Sequence, residues 1–324
     1  MKILVTGGNG FIGSYLIKEL VKKYPKSKIG IVDDLSSSEL TREKTKFYKD
    51  NKIKFYRQKV ENFSFQGRHY DQIYHLASPV GPVGVLKYAG LMGKVIINDA
   101  VKMANLAIKC NARLLSVSTS EVYGPARVKK SGQKESSNKI VPSEITVRLE
   151  YGTGKLLSEV SLLNLAKVTK LKVNFVRPFN IIGPHQNGSL GFVVPRFVES
   201  ALANKPLTIF GTGEQLRCFT HVQDIVEAMI LLMDSTLTNK IFNIGNPKNV
   251  SSIRNLAEKI IELSGSKSKL KFIDPRTIYG PLYAEAWNKI PDISLIKSEM
   301  NWRPRYQLID LLNEYIDFAK HKNN

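Results

Sequence analysis

Tyr151 and Lys155 stand four residues apart in the stretch Arg148 to Ala166, whose apolar residues recur with a helical period. That spacing puts both side chains on one helix face. A tyrosine is too weak a base near neutral pH unless its phenolate is stabilised, and an ammonium or another positive charge beside it would do so. Such a phenolate can take the proton of an alcohol while hydride leaves the same carbon. A hydroxyl cluster, Ser118-Thr119-Ser120, lies upstream and runs on into Glu121-Val122-Tyr123-Gly124. The Tyr-x-x-x-Lys spacing also occurs at Tyr24 to Lys28 and Tyr48 to Lys52. Only Tyr151 follows both a strand-forming run and a hydroxyl cluster.

A hydride needs an acceptor, and the first 13 residues, MKILVTGGNGFIG, are built to hold one. Lys2 to Thr6 is a short β-forming run that breaks into Gly7, Gly8, Gly10 and Gly13. A helical pattern then begins at Phe11 and Ile12. Glycines permit a tight turn and close approach of backbone to a pyrophosphate, and the helix start offers unpaired N–H groups to the anion. Gly8-x-Gly10-x-x-Gly13 between strand and helix is the context that gives this spacing meaning. The next strand, Lys28 to Val32, ends in Asp33-Asp34, about 20 residues beyond the glycines. A carboxylate there accepts hydrogen bonds from ribose hydroxyls and repels a 2′-phosphate. The expected cofactor is therefore NAD.

The elements that must position these residues alternate. A helix is expected near Glu39 to Tyr48, strands over Ile53 to Arg57 and Gln72 to His75, a helix over Val95 to Lys109, and a strand over Arg113 to Ser118. His75 reads as a structural histidine, while Leu76 and Ala77 end their strand beside the cofactor. Val80 to Gly93 is glycine-rich and is expected to be an irregular loop over the site. Strand–helix alternation predicts βαβ units, a parallel sheet, and ligands at the carboxyl ends of the strands. Pro125 to Asn138 is polar and basic, with the character of an exposed loop. Further on, helices are expected over Phe192 to Ala203, Val222 to Met233 and Ser252 to Leu263, and from Ser294. Strands are expected over Leu207 to Phe210 and Ile241 to Ile244, an irregular aromatic stretch over Tyr279 to Trp287, and a last helix within Tyr306 to Ala319. The fold class is α/β: a Rossmann-type doubly wound parallel sheet with a smaller, partly interleaved C-terminal substrate-binding lobe. The expected division gives 1–178 to the cofactor domain, with 222–245 rejoining it, and 179–221 with 246–324 to the lobe.

The 324 residues suffice for a sizeable core, and 43% of them are hydrophobic, as in ordinary globular proteins. No long uncharged apolar run suggests a membrane span, and the N-terminal apolar run does not read as a signal peptide. Cys110 and Cys218 form neither a disulfide framework nor a metal-ligand spacing, so a reducing cytoplasm and no metal are expected. The net charge is +20, but the lysines are scattered rather than interleaved with aromatics in a nucleic-acid motif. The expected partner is anionic and small, not nucleic acid.

Together these motifs resemble an extended short-chain dehydrogenase/reductase of the NAD-dependent epimerase/dehydratase family. The matching pieces are the TGGNGFIG loop, Asp33, His75-Leu76-Ala77, Thr119 to Gly124, Tyr151 and Lys155. Arg177-Pro178-Phe179-Asn180, Gly183-Pro184, Phe219-Thr220-His221-Val222 and Asp224 match as well. The resemblance implies a nucleotide-diphosphate sugar substrate, UDP-linked, oxidised at C4 by tightly held NAD. It implies Tyr151 as base, Thr119 on the reacting hydroxyl and Lys155 on the nicotinamide ribose. Ser118 and Pro178 would line the cofactor, and Ser120, Asn180, Arg217 and Lys289 the substrate. It also implies a homodimer paired through a four-helix bundle of the helices near Val95 to Lys109 and Tyr151 to Ala166.

A 4-keto sugar can be epimerised, dehydrated at C5–C6 or, in a uronic acid, decarboxylated. Glu121 separates these outcomes, because a carboxylic acid can carry the proton that decarboxylation and dehydration require. Ser-Thr-Ser-Glu-Val-Tyr-Gly and His75-Leu76-Ala77-Ser78-Pro79 resemble the UDP-glucuronate decarboxylase pattern. Lys289 stands where those enzymes carry arginine, and His185 follows Gly183-Pro184 where they carry Gly-Pro-Arg. Decarboxylation is the leading expectation, followed by 4-epimerisation and 4,6-dehydration. A non-catalytic NAD-binding regulator is the alternative of another class, since fold alone does not fix function.

Overall fold

The computed structural model describes residues 1–125, 132–283, 285 and 288–322. Parts of the expected loop Pro125 to Asn138 and of the aromatic stretch Tyr279 to Trp287 lie outside the described residues.

The chain opens with β1 (Lys2–Thr6), α1 (Phe11–Lys23), β2 (Lys28–Asp33), α2 (Arg42–Asp50), β3 (Lys54–Arg57) and β4 (Gln72–His75). Next come α3 (Gly81–Lys87), α4 (Met92–Cys110), β5 (Arg113–Val117), α5 (Val147–Val168) and β6 (Lys172–Pro178). The remainder supplies β7 (Ile181–Ile182), α6 (Val193–Leu202), β8 (Leu207–Phe210), β9 (Leu216–Cys218), β10 (Thr220–His221), α7 (Val222–Asp234) and β11 (Lys240–Ile244). It closes with β12 (Val250–Ser252), α8 (Ile253–Ser264), β13 (Leu270–Ile273), α9 (Arg276–Tyr279), α10 (Ser294–Met300) and α11 (Leu308–Lys322).

Seven strands form one parallel sheet in the order β11-β6-β5-β4-β1-β2-β3. Ile3, Leu4 and Val5 are fully buried, as a central parallel strand covered on both faces must be. One face packs α1 and α7 through Leu16, Ile17, Leu20, Ile225 and Met229. The other packs α4 and α5 through Met103, Ala107 and Leu162. The chain winds outward in both directions from β1 and β4. Their carboxyl ends flank the crevice in which such sheets bind ligands.

Outside this sheet, β8 pairs with β13, β9 with β12 and β7 with β10. Helices α6, α8 and α11 close a separate core around Phe197, Leu256 and Leu312. β11 joins the large sheet beside β6, so the chain crosses between the two cores more than once. Ile296 of α10 and Trp302 are buried with α1 and α7, not with the lobe to which their position in 246–324 had assigned them. The expected irregular loop Val80 to Gly93 instead contains α3, and α4 begins at Met92. None of α3's residues is buried, so no apolar stripe marks it in the sequence. Among the described residues no helix is long and apolar enough to cross a membrane.

Candidate functional site

One large cleft of about 1340 Å³ runs from the ends of β1 and β2, past β4 and β5, to β9 and the segment around Lys289. Its first half is lined by Gly7, Gly10, Phe11, Ile12, Gly13, Asp33, Leu76, Ala77, Ser118 and Pro178. Gly10 precedes α1 in extended conformation, and no side chain caps the helix, which leaves that terminus to an anion. A Cβ on Gly13 would sit 2.2 Å from the Gly7 carbonyl oxygen, so only glycine lets the helix close on the turn. Asp33 is buried. Its Oδ2 accepts the Asn9 N–H at 2.9 Å and its Oδ1 the Leu35 N–H at 2.9 Å. Burial raises its pKa, and those two backbone bonds act against the rise. Asp34 is turned into a local bond with the Ser36 N–H. A glycine cradle, an uncapped helix start and a fixed carboxylate at the end of β2 together fit a dinucleotide.

The β4 end is tied to the same turn. The Ala77 N–H donates to Thr6 Oγ1 at 3.3 Å, and Thr6 Oγ1 also meets His75 Nδ1 at 2.8 Å. His75 is buried and held by this contact, in the structural place expected of it.

At the middle of the cleft, Thr119 caps the short turn Ser120–Tyr123, and its Oγ1 accepts the Glu121 N–H at 3.2 Å. Tyr151, on the first turns of α5, hydrogen-bonds with Thr119. The backbone of Gly152 passes so close to this turn that a Cβ there would lie 2.9 Å from the Glu121 carbonyl oxygen. That approach brings phenol and threonine together. Burial raises the pKa of Tyr151, and the Thr119 hydrogen bond lowers it in part. Lys155 donates to the Val117 carbonyl at 2.9 Å. Burial brings the Lys155 ammonium down to about 8, with Asp99 and Glu159 resisting. The sequence expectation placed this ammonium against the phenolate. In the structure it lies on the β5 carbonyl instead.

Behind this centre, Ser118 donates to Glu159, whose carboxylate forms a buried ion pair with Arg177 at 2.5 Å. Arg177 Nη1 donates to the Tyr123 hydroxyl at 2.8 Å, and Tyr123 donates to Asn243 at 2.7 Å. This network joins the end of β5 to α5, β6 and β11 beneath the turn Ser120–Tyr123.

The far end is dominated by charge. Glu121 Oε1 accepts from Arg148 Nη1 at 2.5 Å and from Lys289 Nζ. Burial would raise the Glu121 carboxyl, but Arg148 and Lys289 hold it far below the usual carboxylate range. Lys289 falls to about 8 through burial, which Glu121 opposes and Arg148 and Arg217 reinforce. The backbone sets this meeting. Arg217 and Lys289 face each other in a parallel bridge, with the Lys289 N–H on the Leu216 carbonyl and the Cys218 N–H on the Lys289 carbonyl. Arg217 also pairs with Glu285, which accepts from the Tyr283 hydroxyl at 2.7 Å. Asn180 donates from Nδ2 to the Cys218 carbonyl at 3.0 Å. Ser120 is buried at the cleft wall.

The expected residues therefore line one cleft or lie directly beneath it. Arg148 and Glu285 escaped the sequence reading. Arg148 lies three residues before Tyr151, a spacing that shares its helix face and could have marked it. Gln215 was missed too: it is buried, lines the cleft and leaves its Oε1 without a hydrogen-bond partner.

Known proteins give this arrangement a lineage. Residues 3–245 match the family model described as NAD dependent epimerase/dehydratase family. The chain is 30% identical to a UDP-N-acetyl-alpha-D-glucosaminuronate decarboxylase of Bacillus cytotoxicus, covering 100% of this chain and 99% of that one. It is 33% identical to UDP-glucuronic acid decarboxylase 6 of Arabidopsis thaliana, covering 95% of this chain and 85% of that one. Among solved structures, UDP-glucose 4-epimerase of Thermotoga maritima superposes with a TM-score of 0.86 at 26% identity, covering both chains in full. UDP-glucuronic acid 4-epimerase of Bacillus cereus, solved with UDP-glucuronic acid and NAD, superposes with a TM-score of 0.84 at 25% identity, covering 99% of this chain and 100% of that one. The chain belongs to the NAD dependent epimerase/dehydratase family.

Proposed function

We propose that this enzyme decarboxylates a UDP-linked uronic sugar after oxidising it at C4. The observation that carries this reading is the charge of the sugar end of the cleft. Among the described residues, Arg148, Arg217 and Lys289 converge there with Glu121 and Glu285. Three buried or half-buried cations beside two carboxylates make this end of the cleft positive, which suits a substrate carboxylate and the diphosphate beside it.

Bound NAD would supply the hydride acceptor, held by the glycine turn, the start of α1 and Asp33. With the positive ring of bound NAD favouring its phenolate, Tyr151 would take the C4 hydroxyl proton, Thr119 would orient that hydroxyl, and Lys155 would hold the ribose. Oxidation at C4 makes the C5 carboxylate that of a β-keto acid. The C5–C6 bond then breaks, carbon dioxide leaves, and its electron pair forms a C4 enolate. C5 takes one proton, C4 recovers its hydride, and O4 recovers the proton that Tyr151 took. Glu121, held ionised by two cations, has no proton to give. Lys289, with a pKa of about 8, can carry one near neutral pH. The carboxylate expected to carry the proton thus anchors the cations, and the neighbouring lysine carries it.

The pinned state of Glu121 also favours a second reading, 4-epimerisation of the same uronic sugar, in which no proton need reach C5. The assembly that goes with this reading is a homodimer through α4 and α5.

A proton NMR time course with NAD and either UDP-glucuronate or UDP-N-acetylglucosaminuronate tests the proposal. The expected result is a pentose nucleotide or its acetamido counterpart, with release of carbon dioxide. A C4 epimer with every carbon retained would overturn decarboxylation in favour of the second reading. Tyr151→Phe should lower kcat about 10²- to 10⁴-fold while NAD still binds.

A further inference from the structure

Asn9 takes no part in the chemistry above, yet it is fully buried inside the glycine turn. A buried amide is costly unless its bonds are made, so its partners show what it holds together. Its Nδ2 donates to Ser38 Oγ at 2.9 Å and to the Glu39 carbonyl at 3.0 Å. Its Oδ1 accepts from the Tyr48 hydroxyl at 3.0 Å. Its main-chain carbonyl accepts from Lys44 Nζ at 2.8 Å and Ser14 Oγ at 3.1 Å, and its N–H donates to Asp33. One residue thereby joins the glycine turn, the end of β2, the connection 34–41 and α2.

Those parts line the adenosine end of the cleft: Asp33, Asp34, Ser36 to Glu39, Lys44 and Tyr48 all border it. The connection has little else to hold it, since Ser36, Ser37 and Glu39 are exposed and only Leu40 packs against the core. Lys44 adds a charge contribution, because its ammonium lies close enough to Asp33 to pull that carboxyl down.

We propose that Asn9 is a positioning residue that clasps the 34–41 connection and α2 over the adenosine end of the dinucleotide, so that its side chain sets how tightly NAD is retained. Asp33 keeps its backbone bonds when the side chain is removed, but the wall opposite the ribose loses its anchor. Nucleotide-sugar binding lies at the other end of the cleft and is untouched.

Calorimetric titration of NAD, ADP-ribose and UDP into nucleotide-stripped protein tests this. Asn9→Ala should weaken NAD and ADP-ribose equally, about tenfold for the lost buried hydrogen bonds, and leave UDP affinity unchanged. Tyr48→Phe removes only the bond to Asn9 Oδ1 and should weaken both adenosine ligands about fivefold. It decides the matter if the alanine variant does not fold. Unchanged NAD affinity in Tyr48→Phe, or a loss of UDP affinity parallel to that of NAD, would overturn the proposal.

Discussion

At the scale of single residues, the site turns on which groups can change protonation near neutral pH. Burial raises the pKa of Tyr151, and Glu121 is kept ionised by its two cations. Lys289 is the group at the sugar end whose pKa falls to about 8, because burial and two neighbouring cations oppose its charge more than Glu121 supports it. Arginine at that place would remain charged throughout the working range. If the Lys289 ammonium receives the substrate carboxylate, the charged form binds and the neutral form does not. KM for UDP-glucuronate should then rise as pH passes about 8, approaching about tenfold per pH unit, while UDP affinity stays flat. Lys289→Arg should abolish the rise, and Lys289→Met should raise KM already at pH 7. A KM that is level from pH 7 to 9 in the unaltered enzyme would remove Lys289 from carboxylate binding.

At the scale of elements, His75 shows how the sheet itself depends on a neutral side chain. It ends β4 against Thr6 of β1, and burial, with the charge of Lys155, lowers its pKa from 6.5 to about 3. Between those values the unfolded chain binds the extra proton, so stability rises with pH across that window and is lost as pH falls. Relative to His75→Gln, the protein should therefore lose about 1.4 kcal/mol of unfolding free energy per pH unit on going from pH 6 towards pH 4. Urea titrations at several pH values would show this, and a constant difference between the two proteins would exclude it. The strands around this position were legible in the sequence, because Lys2 to Thr6 is a β-forming run ended by glycine and Gln72 to His75 leads into the His75-Leu76-Ala77 motif. The glycine cradle and Asp33 were legible through their spacing along β1, α1 and β2, and the shared helix face of Tyr151 and Lys155 through spacing within α5. What spacing could not give was contact between distant segments. The meeting of Lys289 with Arg217 depends on a backbone bridge, and that of Lys289 with Glu121 on how the lobe sits against the sheet. Short α3 was read as a loop because Gly81 and Gly84 lower helix propensity and no buried stripe compensates.

At the scale of the whole molecule, the net charge of +20 and the outer face of α5 oppose each other. Leu157 is 48% exposed and Val160 49%, on the side of α5 turned away from the sheet, while Ser158, Glu159 and Leu162 are buried. Thr153 and Asn164 extend the same stripe with uncharged side chains, so this face carries little of the chain's positive charge. Two copies joined there would bury apolar surface without forcing lysines together, although their net charges would still repel at long range. Screening shortens that repulsion to about 10 Å at 0.1 M salt. A homodimer through α4 and α5 should therefore strengthen with added salt, unlike an association held by ion pairs. Light scattering should give twice the 36.4 kDa chain mass at moderate ionic strength, and Leu157→Glu with Val160→Glu should return it to one chain. A monomeric mass for the unaltered protein across that salt range would exclude the dimer. Retained dimerisation in the double variant would place the interface on another face.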